Sequence, residues 1–426
     1  MAIIEKKFQD YKPPAKSTDK LASYFVFLFW PLLGTILSFR HYKFKNSVNV
    51  IWLYNIFVGI TFGFTVGTDS FAYASNLKIL HAKKHYTFNE FWEHLTSESS
   101  ESIDIVQPLI NFLVSRVTDN EYVLFGIYGL IFGFFYSRNI WFLIDKVKDR
   151  IKTESLAFLV LFAFLVPFWS INGFRYWTAT HIFFYGMVRY FSGRKVSGLL
   201  WIFSTLLVHY TYVLAVIIFL GYLIGGNRLR IYFGIYIISI FFSFIDIGII
   251  GVYLEKLPGN VQNRSAGYVN EDYATDYFDS FESANWYIKY RYDFVKILVM
   301  GSFFWIFFAR FKLIEQNPFM MKLFCIGLLF MAFANFTASV PSMLRFYYIG
   351  LMSVTLMLFL FFQLLKFKRR PDWYKVASVV FVFLFCLVEV RVGLTNLTLA
   401  TALGNPLTFT FFDRSQTLMQ FIRGVR

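Results

Sequence analysis

The sequence predicts an all-α, polytopic integral membrane protein, and three observations lead there. Apolar residues make up 57% of the chain, aromatic ones 22% and charged ones only 16%, more apolar surface than an ordinary soluble core can hide. Runs such as LASYFVFLFWPLLGTILSF, LRIYFGIYIISIFFSFIDIGII and FYYIGLMSVTLMLFLFFQLL have about the 20 residues that a helix needs to cross a hydrocarbon layer roughly 30 Å thick. The basic residues behind the net charge of +15 lie in short clusters between such runs, as membrane topology places them, which argues against nucleic acid as a partner.

Taken in order, about twelve transmembrane helices are expected. They lie near residues 21–39, 48–66, 121–144, 154–171, 174–191, 197–209, 210–226, 230–249, 293–309, 319–338, 344–365 and 375–392. No Gly/Ser/Pro linker, low-complexity tract or repeat divides the chain, so residues 1–426 read as a single membrane domain. The first twenty residues are polar and the first apolar run is full length, so no cleavable signal peptide is expected. Cys325 and Cys386 fall inside apolar runs and read as packing residues.

Charge assigns the sides. Arg40/Lys43/Lys45, Lys146/Lys148/Arg150/Lys152, Arg194/Lys195, Arg228/Arg230, Arg310/Lys312 and Lys366/Lys368/Arg369/Arg370 mark cytoplasmic loops. The two longer loops, residues 67–104 and 251–292, are richer in Asp and Glu and face out. Three stretches depart from this regularity. The run IVQPLINFLVSRV is too short to cross and reads as a half-membrane or surface helix. The two short runs flanking His209 read as tilted spans, broken spans or one helix. For the first run, either the N-terminus faces out, which is the preferred reading, or FWPLLG bends the run back as a hairpin around Pro31.

This topology gathers polar residues at the outer ends of the spans. They are Asp69, Ser70 and Tyr73 in GTDSFAY, Asn172 and Arg175 in SINGFRYW, His209 and Tyr210 in LLVHYTY, and Arg345 and Tyr348 in SVPSMLRFYY. Ionisable groups at membrane depth cost several kcal/mol unless paired or hydrated, so they usually line a cavity. Each has a plainer reading: Asp69 as a helix end facing water, Arg175 and Arg345 as snorkelling to head groups, His209 as a hydrogen-bonded interhelical residue. Their gathering on one side is what points to a site. The carboxylates of NEDYATDYFDSFE match no metal or sugar ligand motif well and read as solvated loop, and NRS, NFT and NLT fit the glycosylation pattern by chance.

In order, VGTDSFAY, IVQPLINFL, INGFRYWTATHIFFYGMVRYFSGRK, LLVHYTYV and LRFYY resemble the EpsG family of polytopic bacterial membrane proteins, relatives of the Wzy O-antigen and exopolysaccharide polymerases. The likeness runs over about residues 48–365 and lies in the order and spacing of the set. The family's Gly-Thr-Asp and following Tyr correspond to Gly67, Thr68, Asp69 and Tyr73. Its Asn-Gly-x-Arg corresponds to Asn172, Gly173 and Arg175, its His motif to His209, Tyr210 and Thr211, and its late Arg to Arg345. The sequence departs where Tyr176 replaces the usual Gln after the first Arg and where His181 interrupts an Ala-rich helix.

The resemblance implies a GT-C-like bundle in the bacterial inner membrane with its active site facing the periplasm. It also implies a glycosyltransferase that moves an undecaprenyl-diphosphate-linked glycan onto a lipid-linked repeat unit. Arg175 and Arg345 would stabilise the leaving diphosphate, since Arg makes bidentate contacts with phosphate oxygens. Asp69, ranked first, or His209 would be the general base. Tyr73, Asn172, Tyr176, Tyr210 and Tyr348 would bind substrate. No DxD-type motif stands beside the mouth, so no metal or other cofactor is expected. The expected partners are undecaprenyl-diphosphate-linked oligosaccharides and membrane lipids, with a chain-length regulator protein as a further candidate. The alternatives are a membrane acyltransferase, which would want a histidine reachable from the cytoplasm, and a flippase or transporter of lipid-linked oligosaccharides, which often shows internal repeats.

Overall fold

The computed structural model describes residues 19–40, 47–97, 104–147, 150–241, 275, 279, 282–364 and 372–424. Regular structure among the described residues is helical, with short 3-10 turns and an isolated antiparallel bridge between Thr398 and Thr417. Six stretches of the described residues are long and apolar enough to cross a membrane: Glu121–Ile144, Thr153–Phe191, Trp286–Ala309, Pro318–Phe336, Ser342–Leu364 and Trp373–Gly393. The shorter apolar helices Ser47–Ile60, Lys195–Val208, Tyr212–Gly225 and Leu229–Phe241 complete a multi-pass bundle.

Thr153–Phe191 is two helices. Thr153–Leu165 and Phe174–Phe191 are joined by a 3-10 segment, Phe168–Gly173. Phe162 packs on Phe184 with ring centroids 5.2 Å apart, so the chain turns back at that segment, in keeping with separate runs at 154–171 and 174–191. The second helix runs unbroken through His181, as a single run over 174–191 requires. The Asn139 amide donates to His181 Nδ1 at 3.3 Å, which places the ring proton on Nε2, and Nε2 donates to the Val166 carbonyl at 3.2 Å. His181 is a satisfied core histidine.

Helices in lipid associate through close packing, and small residues permit it. Gly126, Gly129 and Gly133 line the face of Glu121–Ile144 that meets Ser47–Ile60. A β-carbon at Gly129 would stand 2.3 Å from the Asn55 carbonyl oxygen, and one at Gly59 would stand 2.0 Å from that of Phe125.

Two expectations are revised. The first run forms a hairpin, Asp19–Phe29 and Pro31–Arg40, in which a β-carbon at Gly34 would lie 2.8 Å from Phe27 Cα. Pro31 interrupts the helix, and the outward N-terminus reading gives way to the fold-back. The run 48–66 is helical only to Ile60. The runs flanking His209 are two helices joined by His209–Thr211. The helix from Leu229 is described only to Phe241, and of the 251–292 loop's acidic stretch NEDYATDYFDSFE, Glu271, Asp272 and Asp276 lie outside the described residues, as does the cluster 366–370.

Residues 394–424 form a strap across residues 60–65. Thr398 Oγ1 donates to the Thr61 carbonyl at 2.8 Å, Thr61 and Thr401 hydroxyls meet at 2.9 Å, and the Gly63 amide donates to the Asn396 carbonyl at 2.9 Å. The strap closes on itself through Leu418 N–H to the Leu397 carbonyl at 2.7 Å. Arg414 lies over the Tyr122 ring at 3.7 Å and donates to the Ile60 carbonyl at 3.2 Å. This strap fixes the segment that delivers Asp69.

Candidate functional site

Gly67 turns the chain with φ of +83°, a conformation that favours glycine, and the next helix, Asp69–Ala82, begins at once. Thr68 is its N-cap and Asp69 occupies its first turn, where the helix dipole favours a carboxylate. Asp69 is exposed, so the helix-end reading describes its position correctly. Its carboxylate nonetheless faces the next motif. A β-carbon at Gly173 would lie 3.5 Å from Asp69 Oδ2 and 3.0 Å from the Trp177 indole, so glycine is what lets these groups approach. Asn172 Oδ1 accepts the Ser70 amide at 3.4 Å and ties the two segments together.

Arg175 opens onto this lip from the helix Phe174–Phe191. Its Nε donates to the Tyr73 hydroxyl at 3.1 Å and its Nη1 to Asp104 Oδ2 at 3.1 Å. The Asp104 side chain is 1% exposed and that of Arg175 28%, so a buried carboxylate aims a guanidinium that the mouth can still reach. Asp104 Oδ1 accepts the Tyr210 amide at 2.8 Å, which joins the His209 motif to the same point. Burial pushes the Asp104 carboxyl above its ordinary range, and the Arg175 charge and the Tyr210 amide partly offset this. Burial also holds the Tyr73 phenol well above its ordinary value against the pull of Arg175, with Asp69 adding to the rise, so Tyr73 stays neutral.

On the other side of Arg175, the Tyr176 ring meets His209 edge-on at 5.4 Å, and Arg345 lies over the Tyr176 ring at 5.5 Å. The Arg175 and Arg345 charges both act on His209. Thr211 donates its amide to His209 Nδ1 at 3.3 Å, so the neutral ring carries its proton on Nε2. The Tyr210 ring stacks on His209 at 5.6 Å. Tyr348, at the start of Tyr347–Leu364, meets the Trp177 indole at 4.9 Å.

The short helix Val106–Ser115 supports the lip from behind. Gln107 donates to the Tyr128 hydroxyl at 3.1 Å, Tyr128 donates to Asn111, and Asn111 donates to the Tyr73 carbonyl at 3.1 Å. The polar positions of IVQPLINFL are thus a buried, satisfied network, which accounts for polar residues in an apolar run.

The nine residues singled out from the sequence come together in two groups. Asp69, Tyr73, Asn172 and Arg175 form one, and Tyr176, His209, Tyr210, Arg345 and Tyr348 the other, with Arg175 and Tyr176 as neighbours between them. Sequence reasoning missed Asp104, whose partner Arg175 lies 71 positions away.

A helical bundle that can cross the membrane repeatedly, with two arginines and a carboxylate gathered at one end, belongs to the class of multi-pass membrane proteins built around a polar mouth. Residues 47–399 match the EpsG family, and the chain belongs to it. That membership associates it with exopolysaccharide polymerisation. No curated protein and no solved structure matches the chain.

Proposed function

We propose that the protein is a bacterial surface-polysaccharide polymerase. It transfers a growing glycan from undecaprenyl diphosphate onto a sugar hydroxyl of an incoming lipid-linked repeat unit, at the periplasmic face of the inner membrane. About eleven crossings in a GT-C-like arrangement, with outward loops at 67–104 and 251–292, carry this mouth. The reaction forms a glycosidic C–O bond and breaks the bond between the anomeric carbon and the diphosphate, which departs with the electron pair. Arg175 and Arg345 stabilise the charge that develops on that leaving group. Asp69 takes the proton of the attacking hydroxyl, with His209 as the competing base. Tyr73, Asn172, Tyr176, Tyr210 and Tyr348 bind the sugars and the head group around them.

The observation that carries this reading is the placement of Arg175, held through Tyr73 and Asp104 beside Asp69 while Arg345 stands across Tyr176. A diphosphate and a sugar hydroxyl need that pairing of cations with a nearby base. The test is elongation of lipid-linked repeat units by the purified chain in lipid nanodiscs. Lengthened glycan without an acyl donor or a transmembrane gradient supports the polymerase, whereas product that forms only with either one present overturns it.

A further inference from the structure

Arg138 is a cation that the proposed chemistry does not use. It lies on the helix Glu121–Ile144, with about 9 Å of helix between it and the end at Ile144. Its Nη2 donates to Asn49 Oδ1 at 2.8 Å and its Nη1 to Ser137 Oγ at 2.9 Å, and the guanidinium lies over the Trp52 ring at 4.7 Å and the Phe134 ring at 4.4 Å. All four partners are neutral, and no carboxylate pairs with Arg138 among the described residues. An arginine that merely snorkels keeps its head free to seek water. This head is fixed by two hydrogen bonds and two rings, so its charge stays in the apolar flank and calls for an anion brought to it.

The helix Phe174–Phe191 brings a second cation to the same flank. Tyr128 stacks on Phe174 at 4.0 Å beside the lip, and the Phe135 ring meets Tyr185 at 5.5 Å further on, so the two helices run in parallel away from the mouth. Arg138 and Arg189 each stand one turn beyond that second contact, and both are half-buried. Arg189 donates from Nη1 to the Tyr185 hydroxyl at 2.8 Å and from Nε to the Ser197 hydroxyl at 3.3 Å, again to neutral partners. Trp201 completes the cluster, 5.1 Å from Phe135 and 6.0 Å from Tyr185. Leu200 and Phe203 beside it are exposed, so the cluster opens outward to lipid. Between Arg175 and Arg189 the helix rises about 21 Å, which separates this cluster from the mouth.

Two held guanidiniums without a counter-charge, among tryptophan and tyrosine rings on an apolar flank, match a phosphate that arrives with its own acyl chains. Each arginine has spent two of its five N–H donors, which leaves donors for phosphate oxygens. We propose that the seam carrying Arg138 and Arg189 binds the phosphate of an anionic phospholipid. Asn49, Arg138 and Arg189 come from three helices, so occupancy stabilises the bundle as lipid is supplied. The proposal does not depend on the polymerase reading.

The test uses the full chain purified in a neutral detergent and supplied with phosphatidylglycerol, phosphatidylcholine or inorganic phosphate. Native mass spectrometry reads retained lipid, and a melting curve reads stability. The parent is expected to retain phosphatidylglycerol and to melt higher with it, and to respond little to the other two. Arg138→Gln and Arg189→Gln should each weaken phosphatidylglycerol binding about tenfold or more, the worth of a charge-assisted hydrogen bond. Arg194→Gln removes an exposed charge just beyond the same helix and should stay within about twofold of the parent. If Arg138→Gln does not fold, Arg189→Gln, near the helix end, decides alone. Undiminished binding in a folded glutamine variant at either position overturns the inference. Equal loss in Arg194→Gln would reduce the effect to general attraction by a basic surface, and equal stabilisation by inorganic phosphate would make the cluster a free-anion site; both also overturn it.

Discussion

Arg175 Nη1 lies 3.1 Å from Asp104 Oδ2, and the other oxygen of that carboxylate accepts the Tyr210 amide at 2.8 Å. One buried side chain thus joins the arginine, tyrosine and histidine motifs. Asp104→Asn keeps the Tyr210 contact and loses the charge that aims Arg175, so elongation should fall about tenfold or more while the protein still inserts. Because burial raises the carboxyl above its ordinary 3.8, the parent should lose activity on acidification at a pH above that value, and the Asn variant should lack this limb. The sign for stability is opposite. A raised folded value means the fold binds its proton more tightly, so this group's contribution to stability declines as pH rises, and the acid loss of activity is not unfolding. A pH–rate profile of both proteins beside a melting curve checks this.

Arg175→Ala should reduce polymerisation roughly 10²–10³-fold or more, the usual cost of deleting a preorganised donor to a developing charge, with membrane insertion intact. Lysine should restore little, since it cannot serve Tyr73, Asp104 and a phosphate with one fork. Normal long-chain product from the alanine variant would take Arg175 out of the mechanism.

In the proposed reaction Asp69 and His209 compete as base, and the histidine's hydrogen bonds bear on the choice. With Nδ1 accepting from Thr211, the neutral ring presents a proton at Nε2 and acts there as a donor. Asp69→Asn should therefore abolish single-turnover transfer while binding survives, and His209→Gln should be the milder change. The reverse order of severity would make His209 the base.

Loop residues 67–97 should label from outside and the cluster 366–370 from inside. Single-cysteine labelling in intact cells and in inverted vesicles, after replacement of Cys325 and Cys386, reads this directly. Labelling of the 67–97 segment from the cytoplasm alone would place the mouth on the wrong side for a periplasmic reaction.

Gly59→Ala places a methyl group 2.0 Å from the Phe125 carbonyl oxygen, which must force Ser47–Ile60 away from Glu121–Ile144. Overpacking of this kind costs about 1–3 kcal/mol, so the variant should melt lower in detergent, whereas Gly221→Ala, with no atom within 4 Å of its β-carbon, should not.

Much of this mouth was legible because its motifs are local. A glycine, a capping threonine and an acid in succession announce a turn into a helix, and the alternation of basic clusters places the motif-bearing ends together. Asp104 was not legible, since its partner Arg175 lies 71 positions away and nothing around SESSESID marks that residue for burial. The hairpin at Pro31 was visible only as an option, because span length says nothing of Gly34 packing on Phe27. His181 looked like a disturbance until Asn139 and the Val166 carbonyl supplied both ring nitrogens with partners.

The strap bears on how the protein is made. The hydroxyl contact between Thr61 and Thr401 spans 340 positions, so the helix Ser47–Ile60 leaves the ribosome long before the residues that secure its end exist. Closures of that sequence separation are among the slow steps of folding. A ribosome stalled anywhere before Asn396 would release a bundle in which Gly63 N–H and the Thr61 carbonyl have lost these partners and the turn into Asp69 has no brace. The mouth is thereby timed to the end of synthesis: a nascent chain in the translocon holds its arginines before it holds the lip that faces them.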